Sequence, residues 1–199
     1  MRIIITLAIV LFIVSSCIKE ETTTQNQSTG TTYTDNSIGK IYTNFSEDWD
    51  NWAFTLNGES GYIRTSFSED WDNWTFSYNG INGSIKTSFS NDWDNWQLQT
   101  TNSTIKMRTS FSNDWDNWDV TESATNFNAD VQTSFSEDWD NWDIYDNGHI
   151  LDMKTNFSED WDSWRVYGEF PASYTIEQKI AVLFVPFFTG AIQIQGINQ

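Results

Sequence analysis

A ten-residue motif that occurs six times constrains this chain more than any other feature of its sequence. The second copy runs from Thr65 to Trp74 and reads TSFSEDWDNW. The copies begin at Thr43, Thr65, Thr87, Thr109, Thr133 and Thr155, which gives four spacings of 22 residues and one of 24. All twelve tryptophans lie within the copies, two in each. A fixed period of this length indicates a repeat architecture in which every copy forms the same unit.

Apolar and polar residues alternate on both sides of the acidic centre of each copy. In the second copy Ile63, Thr65 and Phe67 share one face before it, and Trp74 and Phe76 share one face after it. A period of two is typical of half-buried strands. Each repeat is therefore predicted to be two short strands around a tight acidic turn, with the phenylalanine on the apolar face. Hairpin turns are predicted at Asn57-Gly58, Asn79-Gly80, Asn82-Gly83 and Asn147-Gly148.

Short turns at both ends of every strand predict an all-β domain over residues 38–168, an antiparallel meander of six β-hairpin repeats with about twelve strands. A β-solenoid is the alternative, but it would stack identical aspartates about 4.8 Å apart, whereas a meander separates them by roughly 9–10 Å. The sequence leaves open whether the meander closes, folds over or stays open. In length the repeat is similar to the MORN-type hairpin repeats, which is an architectural likeness without their glycines.

Residues 169–199 are predicted to form a short hydrophobic helix or cap. Thr175 and Gln178 have the spacing of a capping box. Apolar residues then recur at helical spacing to Phe187. Pro186 is expected to interrupt this helix, and residues 192–195 alternate like a final strand. A helix in the core or a plug is favoured over one that touches a membrane, because the apolar run is too short to span a bilayer.

The N-terminal region predicts export and lipid anchoring. Residues 1–16 have the basic start, apolar run and small residues of a signal peptide. Val14-Ser15-Ser16-Cys17 resembles the lipobox of bacterial lipoproteins, which implies that Cys17, the only cysteine, is lipidated. Residues 17–37 are then the lipidated cysteine and a flexible tether. Residues 17–21, CIKEE, resemble a tag that sends some Gram-negative lipoproteins to the outer face of the outer membrane. An ordinary secretory signal with a spare thiol is the alternative.

The net charge of −18 limits the partners of the chain. Nucleic acid is excluded, because its binding depends on basic contacts to phosphates. The same charge attracts cations.

Two aspartates flank the first tryptophan of every copy, and they have two competing interpretations. Asp side chains stabilise tight turns by bonding to nearby backbone N–H groups. Alternatively they bind Ca²⁺, which prefers several carboxylate oxygens, although the spacing is not that of an EF-hand. The candidate metal residues are Asp48, Asp50, Asp70, Asp72, Asp92, Asp94, Asp114, Asp116, Asp138, Asp140, Asp160 and Asp162.

The two tryptophans of each copy have different predicted roles. The second one lies on the apolar strand face and is assigned to the core. The first one lies between two aspartates and either covers the core as a lid or forms an exposed platform on which sugars stack. The candidate platform residues are Trp49, Trp71, Trp93, Trp115, Trp139 and Trp161.

These features favour a cell-surface lipoprotein that acts as a non-catalytic binding or adhesion module. Its partner would be an extracellular glycan or protein, with Ca²⁺ as a candidate structural ion. A purely structural envelope protein is the alternative, and a glycan hydrolase is a remote one. Enzymatic activity is not expected, because six equivalent carboxylate pairs lack the asymmetry of an acid and a base. His149, the only histidine, is interpreted as a solvated turn residue.

Overall fold

The computed structural model describes residues 35–193, with the backbone alone for Gln193. The predicted signal peptide, Cys17 and all but the last three residues of the predicted tether lie outside this range. The described chain contains twelve strands: β1 (Gly39–Thr43), β2 (Asn51–Leu56), β3 (Glu59–Thr65), β4 (Asn73–Tyr78), β5 (Ile81–Thr87), β6 (Asn95–Gln99), β7 (Thr104–Thr109), β8 (Asn117–Glu122), β9 (Phe127–Thr133), β10 (Asn141–Tyr145), β11 (His149–Thr155) and β12 (Ser163–Gly168).

The twelve strands form a closed antiparallel barrel in sequence order. Closure comes from pairing of the first strand with the last, where Ile41 lies opposite Trp164. The predicted meander of six hairpins is therefore confirmed, and it has no free edge. The solenoid alternative is wrong, because successive strands run in opposite directions.

The connections form two rims. The six hairpin loops that contain the motif centres form one rim, which we call the acidic rim. Its loops are residues 44–50, 66–72, 88–94, 110–116, 134–140 and 156–162. The short-turn rim consists of the five opposite connections, residues 57–58, 79–80, 100–103, 123–126 and 146–148. The chain enters β1 and leaves β12 at the short-turn rim, because Gly39 pairs with Leu56 and Gly168 with Leu151.

The second tryptophan of every copy points into the barrel, as predicted. Trp52, Trp74, Trp96, Trp118, Trp142 and Trp164 are at most 1% exposed. Alternate strand residues face solvent, so burial follows the period of two along the strands. The barrel is thus lined with large aromatic side chains and is polar outside.

The C-terminal segment is a plug inside this barrel. Helix α1 spans Ile176–Phe187 and continues as a π-helix over Phe188–Gln193. Ring centroids of Phe184 and Phe188 lie 5.3 and 4.5 Å from that of Trp96. Beyond α1, Gly190 packs so closely on Trp164 that a Cβ atom would meet the indole at 2.9 Å. The plug therefore packs directly against the tryptophan lining.

Polar bonds fix the start of the plug at the short-turn rim. The predicted capping box is present, with Thr175 accepting from the Gln178 N–H at 3.2 Å. The Gln178 amide donates to the Glu122 carboxylate at 2.7 Å, and Ser103 and Thr125 donate to the same carboxylate. Burial alone would raise the pKa of Glu122, but these three donors outweigh it and hold the pKa below its ordinary value.

Three sequence predictions need correction here. Pro186 does not interrupt α1: it lies inside the helix, one residue before its end, and the helical chain continues as the π-helix from Phe188. Residues 192 and 193 belong to the π-helix rather than to a strand, and residues 194 and 195 lie outside the described range. Asn82-Gly83 is not a turn but part of β5, where a Cβ on Gly83 would meet the Phe76 ring at 2.4 Å.

In the part of the chain that the structure describes, no helix has both the length and the apolarity needed to cross a membrane.

Candidate binding rim

Each loop of the acidic rim contains two consecutive turns. In the second copy the Asp70 N–H donates to the Phe67 carbonyl at 3.0 Å, and the Asn73 N–H donates to the Asp70 carbonyl at 3.1 Å. Glu69 has φ of 63° at the third position of the first turn, which is the arrangement of a type II turn. The other five copies repeat both bonds and the positive φ. The six loops therefore have one common backbone conformation.

This conformation overturns the predicted position of the motif phenylalanines. Strand β3 ends at Thr65, so Phe67 opens the first turn instead of continuing the apolar face. The six side chains are exposed by 71–77%: Phe45, Phe67, Phe89, Phe111, Phe135 and Phe157. We call the circle of these six residues the phenylalanine ring; the name does not refer to the phenyl group of a single residue.

The sequence contained a signal that would have located this turn. Asn91 and Asn113 replace the glutamate of the other copies, and asparagine is the residue other than glycine that most readily adopts positive φ. An asparagine at this position indicates a turn two residues after the phenylalanine. The strand must then end before the phenylalanine.

In five of the six copies the carboxylate of the second aspartate binds the next copy around the barrel. Within residues 35–193 Asp50 is the exception, since Thr65 of the next copy donates to its backbone carbonyl instead. Asp72 accepts from the Ser90 hydroxyl at 3.0 Å, from the Asn91 N–H at 3.2 Å and from the Trp93 indole N–H at 3.0 Å. Equivalent carboxylates accept from the serine and the following N–H of the next copy at Asp94, Asp116, Asp140 and Asp162. The bonds of Asp162 reach Ser46 and Glu47, so they join the last copy to the first.

The first aspartate of most copies binds within its own loop. The side-chain amide of the asparagine three residues later donates to it, at 3.4 Å in the Asn51–Asp48 pair and 2.9 Å in the Asn95–Asp92 pair. Asp70 and Asp138 have the same partner in their copies. Burial, followed by the neighbouring Asp50, raises the pKa of Asp48. These bonds are local, as the turn interpretation expects, but their donors are side-chain amides and not backbone N–H groups.

The first tryptophan of each copy is a partial lid. Trp161 is 9% exposed, and the other five are half-buried. The backbone carbonyl of Trp71 accepts from the Trp74 indole N–H at 2.8 Å, and their rings lie 6.0 Å apart. The predicted lid role thus agrees with the geometry, while the sugar platform stays a prediction about the exposed part of these rings.

A cleft of about 200 Å³ opens between the second and third loops of the acidic rim. Two half-buried indoles and three carboxylates line it, and the lining residues are Glu69, Asp70, Trp71, Asp72, Asn91 and Trp93. The cleft can receive one long side chain, and a cation would meet both charge and aromatic surface there.

One group of three possible metal ligands occurs within residues 35–193, and it lies outside the acidic rim. His149 Nε2 is 3.1 Å from Asp152 and 3.8 Å from Asp143. Burial, and then the neighbouring Asp152, raise the pKa of Asp143. None of the twelve candidate aspartates belongs to this group, and Ca²⁺ binding by them stays a prediction.

Comparison of the chain with protein-family models, with curated proteins and with solved structures finds no match. The acidic rim therefore has to be interpreted from its own chemistry.

Proposed function

We propose that this protein is a lipid-anchored cell-surface protein that acts as a non-catalytic binding or adhesion module through its acidic rim. The observation that carries the proposal is the repetition of one loop, with the same exposed side chains, six times around one end of the barrel. A multiply repeated surface suits the binding of a macromolecule better than the turnover of a small substrate.

The filled interior supports a binding surface on the outside. From Ile180 to Ile192 the plug is almost entirely buried against the lining of the barrel. A ligand would therefore meet the rims or the outer face. On the acidic rim most aspartates already accept bonds that hold the loops together, as Asp72 and Asp92 do.

The path of the chain supports presentation of the acidic rim. Strand β1 begins at the short-turn rim, so a tether that precedes it joins the barrel at the end opposite the acidic loops. The lipid anchor itself rests on the resemblance of residues 14–17 to a lipobox, which lies outside the described residues.

The anchor is tested with Cys17→Ser in the full chain, followed by cell fractionation. The protein should leave the membrane fraction, whereas the wild type should stay in it. Continued association of the variant with membranes would contradict lipidation at Cys17.

Binding is tested by attachment of cells that carry the full chain to surfaces coated with basic proteins, acidic proteins or neutral polysaccharide. We expect attachment to at least one surface, and we expect loss of it when the exposed rim glutamates Glu47, Glu69, Glu137 and Glu159 are changed to glutamine. If the cells attach to none of the surfaces, or if the glutamine changes do not alter their attachment, the purely structural role is favoured.

A further inference from the structure

The phenylalanine ring is a large apolar surface for a protein this polar. Each of the six side chains exposes about 150 Å², so together they expose roughly 900 Å², divided among six positions around the rim. Twelve tilted strands spaced about 4.8 Å apart place the six phenylalanines on a rim about 25 Å across, with neighbouring phenylalanines roughly 12 Å apart. This area is comparable to the ~800 Å² that one partner contributes to a standard interface.

The loop conformation does not require these aromatic side chains. Phe67 occupies the first position of a type II turn, where its carbonyl accepts a bond and its side chain points to solvent. Serine or aspartate would serve the turn equally well. The presence of phenylalanine in all six copies is therefore unexplained by the fold and points to contact with another molecule.

The charges within the six loops that carry the phenylalanine ring are all negative, and the nearest basic residues lie on the strands beside them, at Arg64, Lys86, Arg108, Lys154 and Arg165. The six loops contain no lysine or arginine. Ion pairs within residues 35–193 join His149 to Asp143 and Asp152, and Arg165 to Asp35, so none involves a carboxylate of the acidic rim. The exposed glutamates of the loops have φ of 61–63°, a backbone conformation that glutamate rarely adopts. They are Glu47, Glu69, Glu137 and Glu159. Four copies thus keep a carboxylate where asparagine would be less strained.

The cleft beside Trp71 and Trp93 combines acidic and aromatic lining residues. They include two half-buried indoles and the carboxylates of Glu69 and Asp72. A lysine or arginine side chain fits a volume of about 200 Å³ and would gain both ion pairing and a cation–π contact there.

We propose that the phenylalanine ring, together with the carboxylates around it, docks a basic protein segment that carries apolar side chains beside lysine or arginine. This inference rests on the proposed function of the acidic rim and names its partner. The phenylalanines contact the apolar side chains, and the carboxylates and the cleft receive the cations. A second copy of this rim or an anionic membrane would bring like charges together, and a neutral glycan would leave the carboxylates without counter-charges.

The test uses the full chain with Cys17→Ser and three immobilised peptides of equal length: alternating Lys and Leu, alternating Lys and Ser, and alternating Glu and Leu. The Lys–Leu peptide should bind at least tenfold more tightly than either of the others, and added salt should weaken it. Neutral glucan and zwitterionic vesicles serve as the other surfaces.

Two variants separate the apolar and the charged contributions. Changing Phe67, Phe89 and Phe111 to serine should reduce binding of the Lys–Leu peptide at least tenfold without lowering the melting temperature of the protein. Combining Glu69→Gln with Glu137→Gln should weaken the salt dependence of Lys–Leu binding. Equal binding of Lys–Leu and Lys–Ser peptides, or full binding by the serine variant, would overturn the inference. If the protein binds glucan or vesicles and the serine changes abolish that binding, the inference about a basic protein segment is overturned. The acidic rim would still be a binding surface in that case. Absence of any rim-dependent binding would remove the proposed function as well.

Discussion

At the scale of single residues, the two aspartates of a copy differ in the partners they hold. The first accepts from its own loop, and the second accepts from the next copy, as Asp70 and Asp72 illustrate. Bonds to an ionised acceptor are stronger than neutral ones, and each buried donor left without a partner adds a desolvation cost. We therefore expect the second aspartates to contribute more to the stability of the closed ring, because their bonds join neighbouring copies.

Asp72→Asn tests this difference. The change replaces a carboxylate that accepts from Ser90, Asn91 and Trp93 by a group with one acceptor atom, so we expect a loss of about 1–3 kcal/mol in the free energy of unfolding. Asp50→Asn is the matched control, because the bonds from the next copy reach the backbone carbonyl of Asp50, from Thr65, and not its carboxylate. Urea unfolding of both variants measures the effect. An equal loss of unfolding free energy in the two variants would show that the carboxylate bonds to the next copy add no measurable stability.

Glu122→Gln tests the buried carboxylate that fixes the start of the plug. The folded pKa of Glu122 lies below its ordinary value of 4.5, so its stabilisation is complete above that value and is lost as the pH falls through the folded pKa. We expect the variant to lose about 1–3 kcal/mol at pH 7 and the difference from the wild type to shrink at lower pH. The exposed Glu59→Gln is the control. If the variant is less stable than the wild type by the same amount at pH 7 and at pH 3, the stabilising role of the ionised Glu122 carboxylate is contradicted.

Glu69→Asn tests the strain in the loops of the acidic rim. Glu69 has φ of 63°, and the equivalent residues Asn91 and Asn113 show that asparagine fits there. We expect the variant to be more stable by up to about 1 kcal/mol, since asparagine tolerates this conformation better. The reverse change, Asn91→Glu, should cost a similar amount in thermal melting experiments. A destabilised Glu69→Asn would mean that the glutamate has a structural role in the loop.

At the scale of elements, periodicity predicted most of the strands and failed where a turn imitates a strand. Ile63, Thr65 and Phe67 alternate as one face, but only the first two lie on β3. The pattern cannot distinguish a strand residue from the first residue of a following turn, because both keep the period of two. The sequence favoured a helix in the core or a plug, but it left open whether the barrel closes around that helix, since an apolar run shows that a segment is buried without showing which surface covers it.

Phe184→Ala tests the packing of the plug. The ring of Phe184 lies within 5.8 Å of Trp74, Trp96 and Phe187, centroid to centroid, and is 1% exposed. Its removal leaves a cavity, so we expect a loss of about 3–5 kcal/mol and a clearly lower melting temperature. Phe67→Ala is the matched control and should change the stability by about 0.5 kcal/mol or less, because its side chain is 76% exposed. A large effect at both positions would mean that the phenylalanine ring belongs to the fold.

At the scale of the whole molecule, closure links the number of repeats to the size of the interior. The diameter of a barrel grows with its strand number, and twelve strands leave an interior that must hold a helix in addition to the side chains of the wall. A solenoid grows or shrinks by one repeat with little effect on the others, whereas a closed barrel does not. We therefore expect the six repeats and the plug to require each other.

Deletion of residues 66–87, one repeat of 22 residues that joins Thr65 to Ser88 within the motif, tests this requirement. The local sequence of every remaining hairpin is unchanged, but a ten-stranded ring is too narrow for α1 with Phe184, Phe187 and Phe188. We expect loss of cooperative unfolding and protease cleavage of the displaced C-terminal segment. Two residues added to the Asn57-Gly58 turn are the control, since a longer surface loop costs only about 0.6 kcal/mol per doubling of its length. A deletion variant that unfolds cooperatively with the stability of the parent would show that the plug does not determine the number of repeats.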